Sequence, residues 1–289
     1  MPKIFPRLKK LEIQTRLLIS SFLKGEYHSV FKGSGIDFCE VRHYIPGDDV
    51  KLIDWKITAK ANTPYIKLFE EERELLVFLI IDLSASQYFG TTNRLNKETI
   101  LEIAAILGFS AVSNNDCVGL IIFSQKVELY LPPKKGKRHL LKILQTLFSF
   151  DPKHKGTSIA DALKFFLKIN KKRAVVFLIS DFIDQGFEPI LKFVSKKHDL
   201  IPIVVEDTSK ILLPEIGLIN VKNEETGKTM LINTKDQQFI KEFINLINSK
   251  KYFLKKIFSD LKLTPLCLNN NDNSFLSLNN YFKKRAKKY

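Results

Sequence analysis

The sequence predicts an α/β protein: a mostly parallel sheet flanked by helices, with an antiparallel edge strand, a smaller β-rich amino-terminal module and a carboxyl-terminal helical extension. Three observations carry this reading. Four short runs, 75–81, 118–123, 174–179 and 200–205, are rich in Val, Ile, Leu and Phe throughout rather than on alternate residues, as strands buried on both faces are. Stretches of helical length, 96–113, 137–148, 158–169 and 188–197, separate or follow them, and such alternation packs helices on both faces of a parallel sheet. The 289 residues are 45% hydrophobic and 11% aromatic, with 23 Phe, enough to fill a sizeable core.

In chain order, Leu11, Leu17, Leu18, Phe22 and Leu23 repeat at helical spacing, which predicts an amphipathic helix over 8–24 stopped by Gly25. Turns and short strands follow: Gly33-Ser34-Gly35, a strand over 38–44, the Pro46-Gly47-Asp48-Asp49 turn, Ile53-Asp54-Trp55 and a strand over 65–69. After the strand over 118–123, the brief Ser124-Gln125-Lys126 link permits only an antiparallel hairpin to an edge strand over 127–131. Pro132-Pro133 is expected to end that strand. Beyond Glu206 come an irregular piece around Leu213-Pro214, a hairpin (217–221 and 229–233) turning at 225–227, a helix over 236–258, a strand over 261–265 and a last helix over 277–288. This divides the chain into residues 1–74, 75–206 and 207–289.

Composition narrows the function. No run approaches 18 apolar residues, so no membrane span is expected. The start Met1-Pro2-Lys3 has no secretory pattern. Cys39, Cys117 and Cys267 are widely separated and are expected to be buried, inert thiols of a cytoplasmic protein. The net charge of +15 is concentrated at the end: residues 235–289 hold 12 basic and 4 acidic side chains, with Lys283-Lys284-Arg285 and Lys287-Lys288 among them. Such a segment suits nucleic acid, anionic lipid or an acidic partner. It lacks the interleaved aromatics that stack bases, and the reading preferred for it is a solvated helix end.

The chemistry lies at Asp82-Leu83-Ser84-Ala85-Ser86, just past the first buried strand, where open α/β sheets collect ligands. A carboxylate and two hydroxyls on alternate residues present the hard oxygens that Mg²⁺ prefers. Two further elements reach the same edge. Gly156-Thr157-Ser158 precedes a helix and offers the Thr157 hydroxyl, and Ser180-Asp181-Phe182 ends the strand over 174–179 and offers the Asp181 carboxylate. The same Asp and Ser residues also suit the capping of a turn.

Asp82-x-Ser84-x-Ser86, Thr157 and Asp181, in that order and on those elements, resemble the metal-ion-dependent adhesion site of the von Willebrand factor A-type domain, a Rossmann-like fold. The resemblance covers about residues 75–206. It implies that Ser84, Ser86 and Thr157 bind Mg²⁺ or Mn²⁺ directly, that Asp82 and Asp181 act largely through water, and that a protein partner's carboxylate takes the open position. Gly33-Ser34-Gly35-Ile36-Asp37-Phe38, Arg42-x-Tyr44, Pro46-Gly47-Asp48-Asp49-Val50, Ile53-Asp54-Trp55 and Phe69-Glu70-x-Glu72 are similar to a bacterial family of unknown function that joins such a signature to an A-type domain. That likeness implies a MoxR-type AAA+ ATPase as companion and a chaperone-like or assembly role. Gln87 stands where Met often occurs in that family.

Asp48, Asp49, Asp54 and Arg42 read either as a second functional cluster or as ion pairs and Asx-turns bracing the amino-terminal module, and Trp55 is expected in a core. Glu70-Glu71-Glu72 is expected to be solvated, and His154 to sit in a surface loop. Enzyme readings fail on particular residues. A haloacid-dehalogenase-type phosphotransferase needs an acid two residues after Asp82, where Ser84 stands. Gly227-Lys228-Thr229 lacks the earlier glycine of a P-loop, Lys222 occupying that position. A dinucleotide fold needs a glycine-rich turn after the first strand. The expected function is therefore non-catalytic, metal-dependent binding of a protein, with a basic nucleic-acid-binding protein or a metal-dependent hydrolase as the alternatives.

Overall fold

The computed structural model describes residues 37–61, 63–70, 74–84, 96–154, 156–206, 217–222 and 229–287. The expected helix over 8–24, the glycines at 33–35, Ser86, Gln87, Glu71, Glu72, Leu213-Pro214 and the turn at 225–227 lie outside them. The described residues fall into two compact units, 37–75 and 76–287.

The smaller unit is built on an antiparallel pair, β1 (Asp37–His43) with β2 (Tyr65–Glu70), and a short helix, α1 (Trp55–Ala61), between them. Its acidic signature residues are spent on local geometry. Arg42 donates two 2.8 Å hydrogen bonds, one to each oxygen of Asp48, and Asp48 also accepts from the Ile45 N–H at 2.9 Å. Asp49 accepts from the Lys51 N–H, and Asp54 from the N–H groups of Lys56 and Ile57 at the start of α1. These are the ion pair and Asx-turns that stabilise tight turns. Trp55 departs from expectation: it is 67% exposed. The reason is that α1 is only seven residues long and buries none of its side chains.

The larger unit holds a six-stranded sheet in the order β10-β7-β6-β3-β4-β5. Its strands are β3 (Leu76–Asp82), β4 (Cys117–Phe123), β5 (Val127–Lys134), β6 (Val175–Ser180), β7 (Asp199–Glu206) and β10 (Leu266–Asn269). All neighbours are parallel except β5, which returns antiparallel along β4. A separate hairpin pairs β8 (Leu218–Lys222) with β9 (Thr229–Asn233).

The helices are α2 (Asn96–Ser113), α3 (Lys137–Ser149), α4 (Ile159–Ile169), α5 (Glu188–Lys197), α6 (Gln237–Asp260) and α7 (Ser274–Ala286). Phe78, Ile80, Val176 and Leu178 pack with Ile159, Leu163 and Phe166 of α4, Leu191 and Val194 of α5, and Ile257 and Phe258 of α6. Phe177, one residue on from Val176 and so on the opposite face, meets Phe282 of α7 edge-on at 6.4 Å. Cover on both faces is why the central strands are uniformly apolar. Among the described residues no helix is long and apolar enough to cross a membrane.

Three local expectations are corrected. Edge strand β5 runs through Pro132 and Pro133. The register with β4 slips there, from Leu120↔Leu131 to Val118↔Lys134, so the two prolines sit in a bulge of an edge strand, the setting in which a missing N–H is tolerated. The last strand begins at Leu266 rather than Leu261: the chain is still closing α6 there, Leu261 N–H bonding to Ile257 O, and Lys262 takes a left-handed φ of 54°. Of the two cysteines whose side chains are described, neither is fully buried: Cys117 is half-buried and Cys267 exposed, because Cys267 lies on a four-residue edge strand where alternate residues face out.

His198 follows α5 and is 3% exposed, its ring edge-on to Phe166 at 4.8 Å. Burial, then the charges of Lys197 and Arg173, press its pKa from 6.5 to about 4. The unfolded chain therefore takes up the proton first, so stability is complete above pH 6.5 and declines as pH falls toward 4. Unfolding titrations from pH 7.5 to 4.5 are expected to show wild type losing on the order of 2 kcal/mol more than His198→Leu; parallel curves would refute this.

Candidate metal centre

The chain order of the sheet makes the site. From β3 the chain moves outward to β4 and β5, then crosses back through α3 and α4 to place β6 on the other side of β3. The crevice at such a reversal, beyond the carboxyl ends of the strands, is where open α/β sheets bind ligands. Ile81 of β3 lies opposite Ile179 of β6, so Asp82 stands level with Ser180, with Asp181 next in chain.

Asp82 and Ser84 are fully buried. Asp82 Oδ1 accepts the Ser84 N–H at 2.8 Å, and Oδ2 accepts the Ser180 hydroxyl at 2.6 Å. The Ser180 oxygen in turn accepts the Phe182 N–H at 2.9 Å, and Phe182 adopts a left-handed φ of 55°, a costly conformation for a bulky residue. Burial first, then the charge of neighbouring Asp181, push the Asp82 carboxyl from 3.8 up to about 7, against the opposing pull of the Ser180 and Ser84 hydrogen bonds. Asp181 is half-buried and accepts the Ile183 N–H at 3.2 Å. Two carboxylates are thus held close together at the buried end of the sheet.

Thr157 is brought over the same edge by two anchors. The next residue, Ser158, donates its N–H to Ser124 O at the end of β4 (2.9 Å) and caps α4 by accepting from the Asp161 N–H. Ile159 N–H, opening α4, donates to Asp184 Oδ2 at 2.8 Å in the loop after β6. The Thr157 oxygen is buried and, among the described residues, has no hydrogen-bond partner, a costly state that a bound cation or water would relieve.

Glu128 of β5 tightens the approach to this loop. It accepts the Ser124 hydroxyl and the N–H groups of Lys153 (2.8 Å) and His154 (3.2 Å). Burial alone would raise the Glu128 carboxyl, but these donors outweigh it and hold it below the ordinary range. The expected loop position of His154 is thus fixed through its main chain.

The structure therefore describes Asp82, Ser84, Thr157 and Asp181 at one end of the sheet, while Ser86 lies outside the described residues. Among those residues no three His, Cys, Asp or Glu side chains cluster in the manner of a nitrogen-, sulfur- or carboxylate-rich metal centre. The donor set is instead two carboxylates and hydroxyls, which suits a hard cation such as Mg²⁺ rather than zinc. Sequence reasoning named Ser180 only as a strand end. Its signal was a polar residue closing an otherwise apolar strand next to the one carrying Asp82. Asp184 and Glu128, which position the Thr157 loop, left no comparable mark.

Several known proteins are similar to this chain. Rv1480 of Mycobacterium tuberculosis, described as an uncharacterized protein, is 27% identical over 229 residues, 78% of this chain and 72% of that one. YeaD of Bacillus subtilis, also described as uncharacterized, is 28% identical over 107 residues, 37% of this chain and 25% of its own length. Among solved structures, an aerotolerance-related membrane protein of Bacteroides fragilis is similar at 17% identity, over 74% of this chain and 100% of that one, with a TM-score of 0.49. BatB of Bacteroides thetaiotaomicron is similar at 15% identity, over 74% and 99%, with a TM-score of 0.46. The family model described as protein of unknown function DUF58 matches residues 40–252, and the chain belongs to that family.

Proposed function

We propose that this protein is a non-catalytic adaptor that binds a protein partner through a divalent cation, Mg²⁺ or Mn²⁺, held by Ser84, Ser86 and Thr157 with Asp82 and Asp181 behind them. The observation that carries the reading is that the buried Asp82 carboxylate, the half-buried Asp181 carboxylate and the Thr157 hydroxyl, which has no hydrogen-bond partner among the described residues, stand at the same end of the sheet. Two like charges in a desolvated site raise each other's energy, and a cation among them reverses the sign of that interaction. Both Asp82 oxygens are fixed by hydrogen bonds from Ser84 and Ser180, the kind of support that orients groups around a metal. Bound there, a cation would supply a positive point to which a partner's carboxylate could attach.

Further features support binding over catalysis. The residue two past Asp82 is Ser84, which lacks the proton-transfer capacity of an acid near neutral pH. Arg285, within the basic terminal segment, forms an ion pair with Asp199, which draws that side chain into structure and away from nucleic acid. The family-level likeness to chains that accompany MoxR-type AAA+ ATPases makes such an ATPase, or its client, the partner to test first, in a chaperone-like or assembly role.

Two outcomes are expected. In EDTA at pH 8, Asp82→Asn should be more stable to denaturant unfolding than wild type by on the order of 2 kcal/mol, because Asn keeps one acceptor for Ser84 and can donate to Ser180 while removing the buried charge. The sign follows from the raised pKa: metal-free wild type loses stability as pH climbs from about 4 to about 7, so the gap should close below pH 4. In millimolar Mg²⁺ the order should reverse, since only wild type gains from metal binding. Isothermal calorimetry with Mg²⁺ should give heat for wild type and none for Asp82→Ala or Thr157→Ala. Equal heats in all three would end the proposal.

A further inference from the structure

Beside Asp181 the larger unit opens into a cavity of about 630 Å³ between the carboxyl ends of β6 and β7 and helix α6. This volume lies within the range of pockets that take small ligands or anchor side chains. Its walls are apolar, formed by Phe182, Ile183, Phe253, Leu254 and Ile257. Ile183 and Phe253 are 48% and 54% exposed, an arrangement that leaves large apolar side chains facing the opening.

The polar groups of the cavity select what fits it. Asn96 lines it, is 1% exposed, and accepts from the Asn270 amide through Oδ1. Its own Nδ2 has no hydrogen-bond partner among the described residues, so two buried N–H groups await an acceptor oxygen. The neighbouring carboxylates are otherwise engaged. Asp184 accepts the Ile159 and Gln185 N–H groups, Glu206 pairs with Lys251 at 2.5 Å, and Glu188 sits in the first turn of α5, where the helix dipole favours it. Lys250 adds a positive charge to the lining. Asp181 lines the cavity and also belongs to the candidate metal centre, so the two adjoin at that residue.

We infer that this cavity receives the residues next to the partner's metal-binding carboxylate, and that the partner segment is an acidic residue followed by large apolar ones. The inference rests on the metal-dependent reading above. The acid goes to the cation, the apolar side chains enter between Phe182 and Phe253, and a main-chain carbonyl of the segment accepts from Asn96. Aromatic and aliphatic anchors in such pockets carry most of the affinity of an interface.

The test uses the full chain and a fluorescently labelled peptide, acetyl-Gly-Asp-Phe-Leu-Gly-amide, followed by fluorescence polarisation in Mg²⁺. Replacing Phe and Leu of the peptide by Ser is expected to weaken binding at least about tenfold, as is replacing its Asp by Asn or adding EDTA. Phe253→Ser, an exposed substitution, should abolish the advantage of the apolar peptide while leaving the calorimetric Mg²⁺ heat unchanged. If the serine peptide binds wild type as well as the apolar one, or if neither binds while Mg²⁺ does, the cavity assignment is overturned and the metal reading stands. If the apolar peptide binds equally in EDTA, the cavity is independent of the metal and the assignment is likewise overturned. If wild type gives no Mg²⁺ heat, the underlying reading falls, and the inference with it.

Discussion

Everything at the candidate site depends on one juxtaposition, that of β3 with β6. These strands are distant in sequence, joined only after the chain has built β4, β5 and three helices. The parallel register puts Asp82 and Ser180 side by side at the last residues of two strands whose other side chains are all apolar and buried or nearly so. A carboxylate at that place is stripped of water yet cannot move away, because its chain is locked in the centre of the sheet. A second carboxylate, Asp181, follows at once on the neighbouring strand. Burial and like charge then disfavour the ionised Asp82 carboxylate, a local cost of the kind that collects at functional sites.

The rest of the larger unit can be read as support for that arrangement. Asp184 and Ser124 hold the two ends of the short link from Thr157 into α4, one from the β6 side and one from the β4 side. Glu128 of the edge strand gathers the approach to the loop through three donors. Hydroxyl and carboxylate groups thus reach one edge from three separate segments, each fixed by hydrogen bonds to the sheet rather than by its own flexibility. This is what a preorganised binding site requires.

The sheet and its flanking helices were legible because the central strands are apolar on both faces, a pattern few other elements share, and because the helices between them are long. Asp82, Thr157 and Asp181 were legible for a related reason: each follows or precedes an element whose end was unmistakable. What escaped notice depends on contacts distant in sequence. Ser180 acquires its importance only from the proximity of Asp82, 98 residues away. The buried Asn96–Asn270 contact and the cavity beside it require α2, β10 and α6 to be placed first. Trp55 is exposed despite its aromatic ring, because an aromatic residue implies burial only when its helix has a surface to lie on. Pro132-Pro133 does not end β5, because proline is excluded from central strands and β5 is an edge.

Those two prolines have a wider consequence. An unguarded sheet edge is a template on which other chains add strands. On the β5 side, the bulged Pro132-Pro133 pair interrupts the row of N–H donors such an addition would need. On the opposite side, β10 offers only four residues. Neither margin of this six-stranded sheet is suited to growth by strand pairing, so its two edges are guarded against the addition of further strands.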